Sequence, residues 1–100
     1  MDYFQLEAVV EHWAAEKGIL EKATPMAQAL KTLEECTELC TAINKNDRPE
    51  IIDAIGDIMV TLIIQAKMQD LSLQGCLESA YNVISKRTGK MVDGQFVKNN

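Results

Sequence analysis

The chain has 100 residues, of which 47% are apolar and 25% charged, and its formal net charge is −5. A length of this order suits one domain, so we expect residues 1–100 to form a single domain with 90–100 as a short tail. The acidic balance disfavours nucleic acid and anionic membranes as partners, because both are negatively charged. A nucleotide is still allowed, since a bound divalent cation reverses the sign of an acidic site.

Cysteine usage indicates the compartment. Cys36, Cys40 and Cys76 all fall within helical patterns, and the N-terminus does not have the pattern of a signal peptide. We therefore expect reduced thiols packed in the core of a cytoplasmic protein. The longest apolar run, from Ile58 to Ala66, is too short to cross a bilayer, so no membrane partner is expected.

Apolar periodicity predicts four helices, over residues 3–17, 24–44, 48–69 and 72–87. Gly18 ends the first helix, and Thr24 with Pro25 provides an N-cap and a first helical position for the second. Asp93 and Gly94 predict a turn in the tail. The tail then forms a short turn or two-strand tip, or an arm that packs on a partner.

The third predicted helix is apolar on almost every side, which is typical of a helix buried on several sides. We therefore predict an all-α, four-helix bundle-like protomer with this helix at its centre. A chain of this size buries a smaller share of its surface than a larger domain does. We expect homo-oligomerisation to complete the core, as a homodimer or homotetramer.

Two acidic stripes lie on the second and third helices. Glu35 and Glu38 share one face with Glu34 on their flank, and Glu50, Asp53 and Asp57 form the other stripe. Like charges at this spacing repel, and a hard divalent cation such as Mg²⁺ removes that cost. The absence of histidine from the set favours Mg²⁺ or Mn²⁺ over zinc or di-iron.

A solvated acidic face is the simpler alternative for these carboxylates. It is less favoured for the complete set, because Asp53 and Asp57 lie on the side that continues into Val60 and Ile64. A carboxylate close to buried apolar surface needs a partner.

The motif Lys31-x-x-Glu34-Glu35-x-x-Glu38, followed by Asp53-Ala-Ile-Gly-Asp57, resembles the MazG-like branch of the all-α nucleoside triphosphate pyrophosphohydrolases. The resemblance covers about residues 26–96 and includes the basic stretch that starts at Lys86. It implies Mg²⁺-dependent hydrolysis of a ribo- or deoxyribonucleoside triphosphate to the monophosphate and pyrophosphate, with Mn²⁺ as a possible substitute. The expected role is house-cleaning of the nucleotide pool.

The resemblance also implies site residues. The catalytic candidates are Glu34, Glu35 and Glu38. The metal candidates are Glu35, Glu38, Asp53 and Asp57. The candidates for binding substrate are Lys31, Asn82, Lys86, Arg87 and Lys90.

One departure from the family pattern affects the second acidic motif. When Asp57 is aligned with the final Asp of that motif, the preceding family Glu falls on Ala54, which cannot bind metal. Either Asp53 replaces it, which we prefer, or Glu50 and Asp53 are the working pair. The number of metal ions depends on this choice.

Several alternatives stay open at this stage. One alternative to the enzyme is a catalytically weak or inactive helical dimer that binds nucleotide, metal or a protein partner, and the departure at Ala54 is its main support. The basic cluster could instead complement the dipole of its own helix. Trp13 fits either a core position, which we favour, or a platform for base stacking. The sequence does not specify which base and sugar the protein prefers, or whether its substrate is a canonical or a damaged nucleotide.

Overall fold

The computed structural model describes residues 1–99, which form five helices and one β-hairpin. In chain order the elements are α1 (Tyr3–Glu16), α2 (Ile19–Lys22), α3 (Pro25–Asn44), α4 (Arg48–Met68), α5 (Leu73–Ile84), β1 (Gly89–Val92) and β2 (Gln95–Lys98). The two strands pair antiparallel. The all-α prediction is confirmed, and the predicted turn at Asp93 and Gly94 closes the hairpin.

Short polar side chains fix where the four long helices begin. Asp2, Thr24, Asp47 and Ser72 are the N-caps of α1, α3, α4 and α5, and each accepts a backbone N–H three residues further on. These bonds satisfy donors that the first helical turn leaves free. Gly18 adopts a φ of 76°, and this left-handed conformation ends α1 and redirects the chain into α2.

Helices α3 and α4 pack antiparallel, with polar contacts along their seam. Gln65 Nε2 donates to the carbonyl oxygen of Pro25 at 2.8 Å, and Gln28 Nε2 donates to the carbonyl oxygen of Thr61 at 3.2 Å. The hydroxyl of Thr32 bonds the hydroxyl of Thr61 at 2.9 Å. Because residue numbers rise on one helix as they fall on the other, the middle of α3 lies against the first half of α4.

Helix α4 is the central helix, as predicted, and it contacts all four other helices. The buried apolar residues are Ala14, Ala42, Ala54, Ile63, Ile64 and Ala66, four of which belong to α4. Small side chains dominate this set, so helices approach closely but enclose little apolar volume. Within residues 1–99, no helix is both long and apolar enough to span a membrane.

Three details differ from the sequence predictions. The short helix α2 was not expected. The last helix ends at Ile84 and not near Arg87, since the amides of Lys86 and Arg87 bond carbonyls three residues back, which tightens and ends the helix. The prediction of core thiols is wrong for the protomer, because all three cysteines are exposed.

The apolar face of α3 points outward. Leu30 and Leu33 are 57% and 63% exposed, and no residue of α5 is buried. The Cα radius of gyration is 15.6 Å, whereas a compact domain of this length measures about 13 Å. The protomer therefore leaves much of its apolar surface uncovered.

Candidate metal centre

Three carboxylates meet where α3 packs on α4. Oxygen atoms of Glu35, Glu38 and Asp57 all lie within 4.8 Å of one another. Glu35 is buried, Asp57 is half-buried and Glu38 is exposed, so the cluster is open to solvent on one side. Glu35 and Glu38 share a face of α3 one turn apart, and the antiparallel register brings Asp57 of α4 opposite them.

Burial and the neighbouring carboxyl groups oppose ionisation of Glu35 and Asp57. The pKa of Glu35 is raised above its usual value, chiefly by the adjacent Glu38 carboxyl, then by burial and by the charge of Asp57. The pKa of Asp57 is raised by burial first, and then by the charges of Asp53 and Glu38. Lys31 acts in the opposite direction on both groups, but the net shifts are upward. The ionised cluster thus lacks sufficient positive charge.

One oxygen of Glu35 shows this lack of positive charge most clearly. Glu35 Oε2 is buried and has no hydrogen-bond partner, while Glu35 Oε1 lies 3.8 Å from Lys31 Nζ. A buried carboxylate oxygen without a donor is costly. Octahedral Mg²⁺ places neighbouring ligand oxygens about 3 Å apart and opposite ones about 4 Å apart. Small side-chain rotations would bring these three carboxylates to such distances, so the donor set fits a hard divalent cation.

A cleft of about 420 Å³ adjoins the cluster. Lys31, Glu35 and Asp57 supply its charged groups, and Trp13 from α1 is one of its apolar walls. The other lining residues are Ile19, Ala23, Ala27, Gln28, Val60, Thr61 and Ile64. The preference for Trp13 as a core residue is wrong, because its side chain is 47% exposed and lies on this cleft.

A second cleft, of about 470 Å³, lies toward the α3–α4 loop and shares Glu38 with the cluster. Its other charged residues are Lys45, Asp47 and Glu50. Glu50 therefore lines the same cleft as Glu38 but lies outside the group of three close carboxylates. This placement favours Asp57 over Glu50 as the α4 partner of Glu35 and Glu38.

The remaining acidic candidates lie at the edge of the cluster. Glu34 is exposed and pairs with Lys31 at 3.6 Å. Asp53 is exposed, one turn before Asp57, and close enough to raise the pKa of Asp57. Ala54, where the family pattern has Glu, is buried with 3% of its surface exposed. The metal-ligand assignments stay predictions.

The basic candidates fall into two groups. Lys31 lines the first cleft. Asn82, Lys86, Arg87 and Lys90 are exposed at the end of α5 and the start of the hairpin, and neither cleft includes them. Within one chain, the structure does not bring this second group to the carboxylate cluster.

Sequence reasoning missed the contribution of the segment before α3. Ile19 and Ala23 help to form the cleft, and Trp13 had been expected in the core. No local signal identified this wall, because it depends on how α1 packs across α4 and not on the periodicity of either helix.

Because the carboxylates repel one another, one substitution should stabilise the metal-free protein and also weaken its stabilisation by Mg²⁺. Glu35→Gln should raise the free energy of unfolding of the metal-free protein at pH 7 by on the order of 1 kcal/mol, since it removes a buried like charge. The same variant should lose most of the stabilisation that Mg²⁺ gives the parent protein. Urea unfolding with chelator and with excess Mg²⁺ measures both. Glu34→Gln, on the exposed neighbour, should change neither.

The raised pKa values also set the pH dependence. Both groups have folded-state pKa values above the ordinary 4.5 of Glu and 3.8 of Asp. Their contribution to stability is complete below the ordinary values and is lost as the pH rises through the folded-state values. In chelator, the stability advantage of Glu35→Gln should vanish near pH 4 and grow toward neutrality. An advantage that is larger in acid would contradict the proposed repulsion.

Comparison with known proteins identifies the family of the chain. Residues 23–92 match the family model described as the MazG nucleotide pyrophosphohydrolase domain. The chain is 39% identical over 70 residues to an uncharacterized 18.2 kDa protein in the rep-hol intergenic region of Haemophilus phage HP1 (strain HP1c1). That alignment covers 70% of this chain and 43% of the phage protein, so the chain spans less than half of that relative. No solved structure gives a significant match. The chain belongs to the MazG nucleotide pyrophosphohydrolase domain family.

Proposed function

We propose that this chain hydrolyses nucleoside triphosphates to the monophosphate and pyrophosphate, with Mg²⁺ held by Glu35, Glu38 and Asp57. The observation that carries the proposal is the close approach of three carboxylates, one with a buried oxygen that has no donor. A structural acidic face would not keep such an oxygen away from water. Family membership supports the same reaction.

The reaction adds water across the anhydride between the α- and β-phosphates. The oxygen of water bonds to one of the two phosphorus atoms, the bond from that phosphorus to the bridging oxygen breaks, and the bridging oxygen leaves with the other phosphate. The products are the monophosphate and pyrophosphate. Mg²⁺ or Mn²⁺, when bound, would neutralise phosphate charge and lower the pKa of a coordinated water. Asp53, at the rim, would support Asp57 in holding the ion. Glu34 orients or deprotonates the attacking water from the flank of the cluster.

The first cleft would bind the nucleoside. A volume of about 420 Å³ falls in the range of small-molecule sites, and apolar walls beside a few charged groups are typical of them. Trp13 offers an aromatic face to the base, and stacking on it would be tolerant of base identity. The carboxylate cluster borders the same cleft, so a nucleoside stacked on Trp13 would place its phosphates near Glu35 and Asp57.

The phosphates also need positive charge. Lys31 lies in the cleft, and it would be available to the phosphates if a bound cation neutralised Glu35. Lys86, Arg87 and Lys90 would stabilise the charge that develops on the leaving pyrophosphate, and Asn82 would donate a hydrogen bond to the nucleotide. None of these four lines the cleft in the protomer, so in this proposal they reach substrate that is bound to another copy of the chain.

Association with further copies would also cover the apolar surface. The outward face of α3 presents Met26, Leu30, Leu33 and Ile43, each at least 55% exposed. Monomeric proteins rarely leave apolar patches of more than a few hundred Å² in water. We therefore propose a homodimer or homotetramer with α3 at an interface. The proposed setting is the cytoplasm, with removal of unwanted nucleotides from the pool as the task.

Product analysis tests the proposed activity. With Mg²⁺, we expect release of pyrophosphate and monophosphate from at least one member of a panel of NTPs and dNTPs, and none with chelator. Glu38→Gln should lower kcat by about 100-fold or more, because it weakens a metal ligand. Glu11→Gln, on α1, is the matched control and should keep full activity. The panel also reveals the base preference.

Other outcomes of that assay separate the alternatives. Nucleotide binding without any product, in protein that is folded, would contradict the enzyme proposal and favour the binding-only dimer, with Ala54 as the reason. Release of inorganic phosphate in place of pyrophosphate would contradict cleavage between the α- and β-phosphates.

The interface proposal predicts a mass of two or four times the chain mass of 11.1 kDa in sedimentation equilibrium. Leu30→Lys with Leu33→Lys should shift the protein toward monomer, because charges would replace the apolar centre of the interface. Glu21→Lys, which is exposed on α2, serves as a control for the added charge. A monomeric parent protein, or a double variant with unchanged mass, would contradict the interface.

A further inference from the structure

A buried carboxylate outside the metal centre joins the two ends of the fold. Glu7 of α1 is only 6% exposed, and it precedes the segment that matches the family model. Its Oε1 accepts a hydrogen bond from the backbone N–H of Leu73 at 2.9 Å, across 66 residues of sequence. Leu73 is the first residue of α5. The metal centre uses neither residue.

The bond lies at the end of α5 where an anion is most favourable. The first N–H groups of a helix have no partner within it, and the helix dipole is positive there. Ser72, the N-cap, accepts the N–H of Gly75. Glu7 takes the N–H of Leu73, so this end of α5 is capped partly by its own residue and partly by α1.

This contact matters because α5 has little else to hold it. No side chain of α5 is buried, so packing contributes little to its orientation. Twelve helical residues extend about 18 Å. A tilt of about 10° at Leu73 would then move the far end by about 3 Å, and displacements of about 1 Å already affect catalysis.

The far end of α5 carries candidates for binding phosphate. Asn82 is in its last turn, and Lys86 and Arg87 lie two and three residues beyond Ile84. A contact that fixes the start of α5 therefore also determines the positions of Asn82, Lys86 and Arg87.

Burial of the Glu7 carboxylate lowers the stability of the fold. Its Oε2 is buried and has no hydrogen-bond partner, and the hydroxyl of Tyr3 beside it is in the same condition. Burial and the Glu7 carboxyl together raise the pKa of Tyr3. Burying a carboxylate that is half satisfied destabilises the fold. The bond from the N–H of Leu73 offsets part of this cost.

We propose that Glu7 is a positioning residue that clamps the N-terminus of α5 onto α1 and thereby directs Asn82, Lys86 and Arg87 toward substrate phosphates. The proposal rests on the function proposed above for the carboxylate cluster. It assigns a role to the segment before the family domain, which would orient the phosphate-binding end of the chain.

Two substitutions separate the hydrogen bond from the charge. Glu7→Ala removes the acceptor, whereas Glu7→Gln keeps an acceptor oxygen and supplies an amide donor toward the hydroxyl of Tyr3. Glu11→Ala, on the same helix and partly exposed, is the matched control. The readouts are amide hydrogen exchange along α5 and the affinity for an α,β-imido nucleoside triphosphate, which does not require turnover. Thermal unfolding shows that each variant is folded at the assay temperature.

We expect Glu7→Ala to speed exchange at the start of α5 and to weaken analogue binding about tenfold. Glu7→Gln and Glu11→Ala should stay within about twofold of the parent protein. Unchanged affinity in Glu7→Ala, or equal losses in the Ala and Gln variants, would overturn the proposal. If the parent protein binds the analogue but hydrolyses nothing, the proposed reaction fails while these affinities still decide the role of Glu7. No binding by the parent protein would overturn both.

Discussion

The repulsion among Glu35, Glu38 and Asp57 is the constraint on which the rest of this structure depends. Three carboxylates within 4.8 Å, one of them buried, oppose the packing of α3 on α4 that brings them together. The polar seam of Gln28, Thr32 and Thr61 holds the helices in register despite that repulsion. A divalent cation bound by the three carboxylates would replace their repulsion with metal–oxygen bonds.

Much of the helical framework follows from the sequence. The cap at Thr24 and the glycine at position 18 predicted helix boundaries correctly, because each acts through local backbone geometry. The central position of α4 followed from its apolar composition on nearly all sides. Spacing alone predicted that Glu35 and Glu38 share a face. It did not predict which of Glu50, Asp53 and Asp57 stands opposite, since that depends on the register between two helices.

The side of α3 that is buried was not predictable from periodicity. In the protomer the carboxylate Glu35 is buried against α4, and Leu30 and Leu33 face outward. Sequence patterns identify which face of a helix is apolar, but not whether the same chain or another copy covers it. Cys36 and Cys40 were predicted to be core thiols and are exposed for the same reason, because periodicity does not show which face the protomer buries.

The segment before the family domain contributes to both parts of the proposed site. Trp13 forms a wall of the nucleoside cleft, and Glu7 bonds the start of α5. Both contacts join residues far apart in the chain, so no local pattern reveals them. In this account the core α3–α4 pair supplies the metal ligands, whereas the orientation of base and phosphates depends on α1 and α5.

The most direct test of the central claim is a titration with Mn²⁺ monitored by electron paramagnetic resonance at neutral pH, in which the signal of free Mn²⁺ reports how much is bound. The account predicts saturable binding by the parent protein and binding weakened at least tenfold in Asp57→Asn. Glu50→Gln, in the second cleft, should bind as the parent protein does. Equal Mn²⁺ affinity in the parent protein and Asp57→Asn, or no saturable binding at all, would contradict a metal centre at Glu35, Glu38 and Asp57.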